Sequence, residues 1–432
     1  MKTSLEERRQ FLSALTLSGV GLAGSGSLFS LTESAAAQET ASGESSSVDS
    51  PPVLQCPTEN GVTVVWAVTR GATGWVEYGT EKEKLDKSAF GPKFGHRPHH
   101  ERFLQIRVDG LQPNKRYYYR TATASFHFNS GYSFDRGNPV YSQTYSFTTS
   151  GPDKETGSFS VINDTHEHQP TLKILAKRLA ELKSDYTIWN GDLFDSIENA
   201  DEVVAAVLRP GDSDFAAERP VLFVPGNHDY RGAWARNLTL ALPAWEHEDA
   251  QDRPFGRNFA VRTGPLALIG LDTGEDKPDL HEAWKGLAQF EPYRIAQRDW
   301  LDRALKSPKI ASAPFVVAFC HIPLFDPRPN VQDGSSIVKE HYAAYQGQAA
   351  KLWGPLLNDY NVQLLICAHQ HRFRYNPPTN GRKWTQINGG GLATGREVTV
   401  IHGKAENQTL TVAVDELKSG QSLGQWTFEP RR

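Results

Sequence analysis

The chain is poor in cysteine, with only Cys56, Cys320 and Cys367 among its 432 residues. An odd number at such wide spacing gives no disulfide framework and excludes a small stapled scaffold. Excess charge of one sign is also lacking. The formal net charge is −4, and residues 1–37 do not alter it, because Lys2, Arg8 and Arg9 offset Glu6, Glu7 and Glu33. Without a basic excess, nucleic acid is not expected as a partner. No repeat or heptad pattern is visible. No strong membrane-spanning run occurs, since the mildly apolar stretch near the N-terminus is broken by glycine and serine. Stable membrane insertion is therefore not expected.

What stands at the N-terminus reads as a processing segment. Glu7-Arg8-Arg9-Gln10-Phe11-Leu12 resembles a twin-arginine signal, and Ala35-Ala36-Ala37 offers a small-residue cleavage site before Gln38. Residues 1–37 are expected to be a signal peptide, and the mature chain to be periplasmic or secreted; an uncleaved anchor is the alternative. No cysteine lies near the cleavage point, so a lipoprotein anchor is unsupported. Residues 38–51, rich in Ser, Glu and Thr, read as a flexible linker.

At this length two domains are the natural count. Residues 52–150 carry short strand-like runs, such as VTVVWAV at 62–68 and GWVEY at 74–78, separated by turn residues. That pattern predicts a β-sandwich. Residues 151–157 would be a hinge. From 157 the pattern changes. SFSVIN at 158–163, YTIWN at 186–190 and VLFV at 221–224 read as strands separated by helical spacing. This β–α–β–α–β order predicts parallel strands joined by right-handed crossovers, with ligands gathering beyond their C-terminal ends.

Five short motifs fall at such ends. They are Asp164-Thr-His166, Gly191-Asp192-Leu-Phe-Asp195, Gly226-Asn227-His228-Asp229, His321 and His369-Gln-His371. Carboxylate, imidazole and amide oxygen are what hard or borderline cations take, and no thiolate is needed. Two ions about 3.5–4 Å apart must share a ligand, and Asp192 is the natural bridge. If these segments are extended, residues two apart point the same way. Asp164 with His166, and His369 with His371, would then face one site. Such a cage supports attack on a phosphate ester by metal-bound hydroxide.

In these motifs the chain resembles the calcineurin-like metallophosphoesterases. The resemblance implies a four-layer α/β/β/α sandwich over residues 157–432 and two metal ions, with iron, manganese and zinc as the leading candidates. It implies that Asp164, His166, Asp192 and His371 hold one ion, and that Asp192, Asn227, His321 and His369 hold the other. His228 would be the general acid at the leaving oxygen, oriented by the Asp195 carboxylate. One departure is Ala368, where the family has glycine. Another is Asp195, where the similar purple acid phosphatases carry the tyrosine that ligates ferric iron. The Gly-Leu-x-Pro-Asn and Tyr-Tyr-Tyr-Arg segments at 110–120 resemble the fibronectin type III-like domain that precedes purple acid phosphatase catalytic domains.

Other residues carry two readings. Arg231 and Arg236 could reach a substrate phosphate, since Arg suits bidentate oxygen recognition, or could be salt-bridged loop residues. His168 could support the cage. Gly389-Gly390-Gly391 could admit substrate or form a tight turn. His96, His99 and His100 read as a solvated loop. Cys320 and Cys367 end core strands, Cys320 should point away from the site, and the two could pair if their strands are neighbours. The expected activity is hydrolysis of a small phosphate ester, with a monoester favoured and a diester as the alternative. A non-catalytic binding protein on this scaffold is the remote reading, because no expected ligand is missing. The sequence does not set the oligomeric state.

Overall fold

The computed structural model describes residues 47–92, 94–326, 337–391, 398–406 and 408–431, without the side chains of 337–346. The expected signal peptide and most of the expected linker lie outside the described residues. Residues 47–50 of that linker do not behave as a linker. Ser47 and Ser50 are buried, and Asp49 pairs with Arg102 and Arg209.

The first ten strands are β1 (Val53–Thr58), β2 (Gly61–Ala67), β3 (Ala72–Gly79), β4 (Lys87–Ala89), β5 (His99–His100), β6 (Phe103–Asp109), β7 (Arg116–Ser130), β8 (Ser133–Arg136), β9 (Val140–Tyr141) and β10 (Tyr145–Thr148). Then come β11 (Gly157–Ile162), helix α1 (Gln169–Leu182), β12 (Tyr186–Asn190), β13 (Val221–Val224), β14 (Phe259–Thr263), β15 (Leu266–Gly270) and helix α2 (Phe290–Lys306). The last elements are β16 (Phe315–Phe319), helix α3 (Ile337–Asp359), β17 (Leu364–Cys367), β18 (Arg374–Asn376), β19 (Thr385–Asn388), β20 (Thr399–Glu406), β21 (Thr409–Glu416) and β22 (Ser422–Phe428).

Two sheets carry the part of the chain that bears the motifs. One has the order β22-β21-β20-β11-β12-β13-β1-β2-β6, the other β14-β15-β16-β17-β19-β18. The pairs β11–β12, β12–β13, β15–β16 and β16–β17 are parallel, as the crossover pattern predicts. Phe159, Val161, Ile188 and Val224 of the first sheet meet Leu268, Val317 and Ile366 of the second in one dry layer. The first sheet's other face packs on α1 through Leu172, Leu175 and Leu179. The second sheet's outer face packs on Trp300 and Leu301 of α2 and on Trp353 of α3. The result is the four-layer α/β/β/α fold with an all-β N-terminal part.

The N-terminal part is less separate than the sequence suggests. A third sheet, β10-β7-β3-β4 with β5, β8 and β9 attached, forms one face of its sandwich. The opposing face is β1-β2-β6, which continues the first sheet through a parallel bridge between Gln55 and Val221. Alternate residues of these strands serve two cores. Leu54, Val64 and Trp66 face the third sheet, while Val53, Val65 and Ala67 pack with the α1 layer. The expected hinge is also tied down. Gly151 bridges Thr263, Lys154 pairs with Asp185 at 2.5 Å, and Gly157 opens β11 against Ala405.

Candidate metal centre

Every motif follows a buried strand, and after three of those strands the backbone leaves by a left-handed turn. Asp164, His166 and Glu167 after β11 have φ of 47, 42 and 49°. Asp192 after β12 has φ 50°, and His369 and His371 after β17 have φ 68 and 50°. The extended geometry expected of these pairs is therefore wrong. The ligand-type side chains converge because the chain turns, at a cost of about 1–3 kcal/mol per strained non-glycine residue. Neighbouring loops hold the turns in place. Asp164, His166 and Glu167 donate backbone N–H bonds to the carbonyls of Gly191, Asp192 and Leu193. His369 N–H donates to the Asp164 carboxylate.

Glycine is required where the loops touch. A Cβ on Gly191, itself at φ 82°, would sit 2.4 Å from His321 Nδ1, and one on Gly391 would sit 2.2 Å from Asp164 Cβ. The Gly389–Gly391 run thus lets backbone approach Asn163 and Asp164. Ala368 has no left-handed φ and donates to the His321 carbonyl, so the methyl in place of glycine is accommodated.

The side chains form three overlapping groups, of which His166, Asp195 and His228 make the more exposed one. Asp164, His166, Asp192 and His371 bring ligand atoms within 4.8 Å of one another, and so do Asp192, His321 and His369. Asp192 belongs to both. His321 Nε2 lies 3.1 Å from Asp192 Oδ2, His371 Nε2 lies 3.3 Å from Asp164 Oδ1, and the Nε2 atoms of His166 and His371 face each other at 3.3 Å. The Asn227 side-chain oxygen is buried beside them with no hydrogen-bond partner.

The donor chemistry fits cations. His321 is fully buried, and its Nδ1 lies 2.9 Å from the Asn190 carbonyl. A carbonyl only accepts, so Nδ1 carries the proton and Nε2 is turned to the centre. Burial would lower the His321 pKa, but the Asp192 and Asp164 charges push it up to about 10. Burial would raise Asp164 and Asp192, yet the surrounding histidines hold both below the usual carboxylate range. These carboxylates demand positive charge, which a proton on His321 supplies and a metal ion would supply better. Burial and the neighbouring His321 push His369 down to about 4, which keeps it neutral as a ligand must be.

Asp195 departs from its expected role. Its carboxylate lies 2.7 Å from His166 Nδ1, whereas His228 Nδ1 meets the Asp195 backbone carbonyl at 2.8 Å. His228 Nε2 lies 2.8 Å from Arg231 Nη1. A guanidinium only donates, so His228 is a neutral imidazole with its proton on Nδ1. Burial lowers its pKa against the pull of Asp192. The expected carboxylate partner that favours the charged form is absent.

The sequence reading missed two acids. Asp229 is buried and accepts N–H bonds from Asp192, Leu193 and Gly226, bracing two motif loops. Burial and the Asp192 charge push its pKa up to about 7. Its place in the Gly-Asn-His-Asp motif was the signal. Glu275, also fully buried, grips Arg231 with both oxygens, at 3.0 Å to Nε and 2.5 Å to Nη2. Asp276 adds a third contact to that guanidinium at 3.0 Å. No motif marks Glu275.

The remaining candidates lie elsewhere. Arg236 is exposed on the 3-10 turn Ala235–Leu240, and no described contact joins it to the cluster. His168 precedes α1 and meets the Thr171 hydroxyl. Cys320 and Cys367 are free, buried thiols whose sulfurs lie 3.6 Å apart in the α2–α3 layer, away from the centre as expected of Cys320.

The pattern of the purple acid phosphatase N-terminal domain matches residues 52–149. No curated protein matches the chain. Two similar solved structures are purple acid phosphatase PPD1 from yellow lupin (Lupinus luteus) seeds and a protein named PhoD. The first aligns with a TM-score of 0.59 at 14% identity, over 88% of this chain and 74% of the other. PhoD aligns with a TM-score of 0.61 at 12% identity, over 90% and 92%. At such identities these likenesses speak to fold. The calcineurin-like phosphoesterase pattern matches residues 158–373, half of the chain, and every motif lies within it; the chain belongs to the calcineurin-like phosphoesterase family and is a metal-dependent phosphoesterase.

Proposed function

We propose that this protein is an exported phosphomonoesterase with a two-metal centre. The observation that carries the reading is the sharing of Asp192 by two ligand groups, with Arg231 and His228 standing on the open side. Asp164, His166, Asp192 and His371 would hold one ion, and Asp192, Asn227, His321 and His369 the other. The ions, when bound, neutralise charge on the phosphoryl group and lower the pKa of water. Iron, manganese and zinc all suit this mixed oxygen and nitrogen set.

The chain's own groups do the rest. The Asn190 carbonyl fixes the His321 tautomer, and the Asp195 carboxylate sets a negative charge beside His166 Nδ1. Glu275 aims the Arg231 guanidinium into the opening. A monoester has one more charged oxygen than a diester, and a donor in that opening suits it. As Arg231 turns to the phosphate, His228 Nε2 becomes free to take a proton and pass it to the leaving oxygen.

The test is the ratio of kcat/KM for a chromogenic phosphomonoester to that for its bis-ester, with the metal-loaded chain from Gln38. We expect at least a tenfold preference for the monoester, about 1.4 kcal/mol of transition-state discrimination. A ratio below one would make the protein a diesterase on the same site. Export is tested separately. Replacing Arg8 and Arg9 together by Lys should leave the chain in the cytoplasm, and unchanged fractionation would overturn the twin-arginine reading.

A further inference from the structure

We propose that the N-terminal sandwich holds a second binding site, a cleft that takes an acidic sugar unit carrying a carboxylate or sulfate. The cleft has a volume of about 400 Å³ and is lined by β3, by Phe90, by residues 96–99 and by the β7–β8 hairpin. Its apolar surface is aromatic. Trp75 and Phe90 lie with ring centroids 6.0 Å apart, and Phe126 and Phe128 with theirs 4.8 Å apart. Phe126 stacks on Phe134 at 4.7 Å, and Phe128 and Phe134 are 58% and 54% exposed. Two adjacent large apolar rings left open on the hairpin make a contiguous apolar patch of the kind that marks a binding site. The His96–His100 run, expected to be a solvated loop, forms part of the wall. His99 packs edge-on against Phe126 and Phe128 and is anchored at the Phe126 carbonyl.

The charge of the lining picks the ligand. Its ionisable side chains are Arg97, Arg136, His96 and His99, and no carboxylate or side-chain amide lines the cleft among the described residues. Arg97 lies 3.8 Å over the Phe90 ring, and Arg136 lies 6.0 Å over Trp75. Neither makes a salt bridge in the described structure, whereas Arg102, Arg107 and Arg120 all do. Two unpaired guanidiniums beside aromatic faces, in a chain of net charge −4, are a local trap for an anion. A neutral sugar needs side-chain acceptors for its hydroxyl protons, and a base edge needs both donors and acceptors. The cleft offers chiefly donors. A pyranose ring can lay its C–H face on the aromatics while its acidic group meets the two arginines.

Titration calorimetry on the full mature chain tests this, with trigalacturonate and a sulfated disaccharide as probes, and maltotriose and a short thymidine oligonucleotide as controls. We expect one or both acidic sugars to bind with Kd below about 1 mM. The double variant Arg97→Ala/Arg136→Ala should weaken binding at least tenfold, about 1.4 kcal/mol, with its melting temperature and its kcat/KM for a small chromogenic ester unchanged. Trigalacturonate alone would assign carboxylate, and the sulfated probe alone would assign sulfate. Equal binding of maltotriose, tighter binding of the oligonucleotide, full binding by the double variant, or no acidic-sugar binding at about 10 mM would each overturn the proposal.

Discussion

The motif cluster has an inner and an outer half, and they are built differently. Asp164, Asp192, Asn227 and His321 are at most 1% exposed. Asp195, His228 and Arg231 reach water, and the Asp195 side chain is 74% exposed. The inner half shuts out water and gathers acceptor atoms at a spacing that only a cation satisfies. The outer half offers donors with room in front of them. Holding ions and handling substrate are thus separate jobs in adjacent shells, and substitutions should divide accordingly.

The largest effect should come from the shared inner ligand. Asp192→Asn removes the charge common to both groups, and losing ion-borne charge stabilisation is worth several kcal/mol, or on the order of 10³-fold in kcat. Metal content by mass spectrometry should fall with it. Full activity with full metal content would refute the bridging role. Chelation of the wild-type chain should likewise abolish turnover and lower Tm, since ligands that bind only the folded state stabilise it. A chelated chain with unchanged Tm would show that the ions add nothing to the fold.

Asp229→Ala sharpens the comparison from the stability side. It strips the acceptor from three buried N–H groups, and one orphaned donor alone costs about 1–3 kcal/mol. We expect a clear drop in Tm for the metal-loaded chain, and an unchanged melt would mean that water replaces the brace. Glu275→Gln belongs to the outer half. It loosens Arg231, so KM for a monoester should rise by about tenfold, with metal content and Tm little changed. A Glu275→Gln variant with normal KM would show that Arg231 needs no clamp.

The inner half was legible in the sequence, and the outer half only partly. Asp164, Asp192, His321 and His369 each end an apolar run, so period and punctuation place them at strand ends. The left-handed turns were not legible, because none of those ligand residues is a glycine that would announce a positive φ. Glu275 was hidden for another reason. It reaches Arg231 from 44 positions away, and one carboxylate in a loop has no pattern. The merging of the sandwich with the catalytic sheet left a trace that went unread. VTVVWAV at 62–68 does not alternate, and an unbroken apolar strand needs cover on both faces. β2 has that cover, the third sheet on one side and the α1 layer on the other.

The smallest expected effect decides what Asp195 does, because its two possible roles run through different atoms. Its carboxylate sets a charge 2.7 Å from His166 Nδ1, and its backbone carbonyl holds His228. Asp195→Asn keeps the carbonyl and puts a neutral amide beside His166 Nδ1 in place of the carboxylate charge. Weakening such an outer partner of a metal-binding histidine costs about 10–100-fold in metal affinity. The variant should therefore need more metal for half-maximal activity, with kcat at saturating metal within about twofold of wild type. The orientation of His228 by the carboxylate, as the motif suggested, predicts the reverse. Metal affinity would hold and kcat would fall at every metal concentration. A titration of activity against metal separates the two, and the geometry favours the first, since His228 has no side-chain bond to Asp195 to lose.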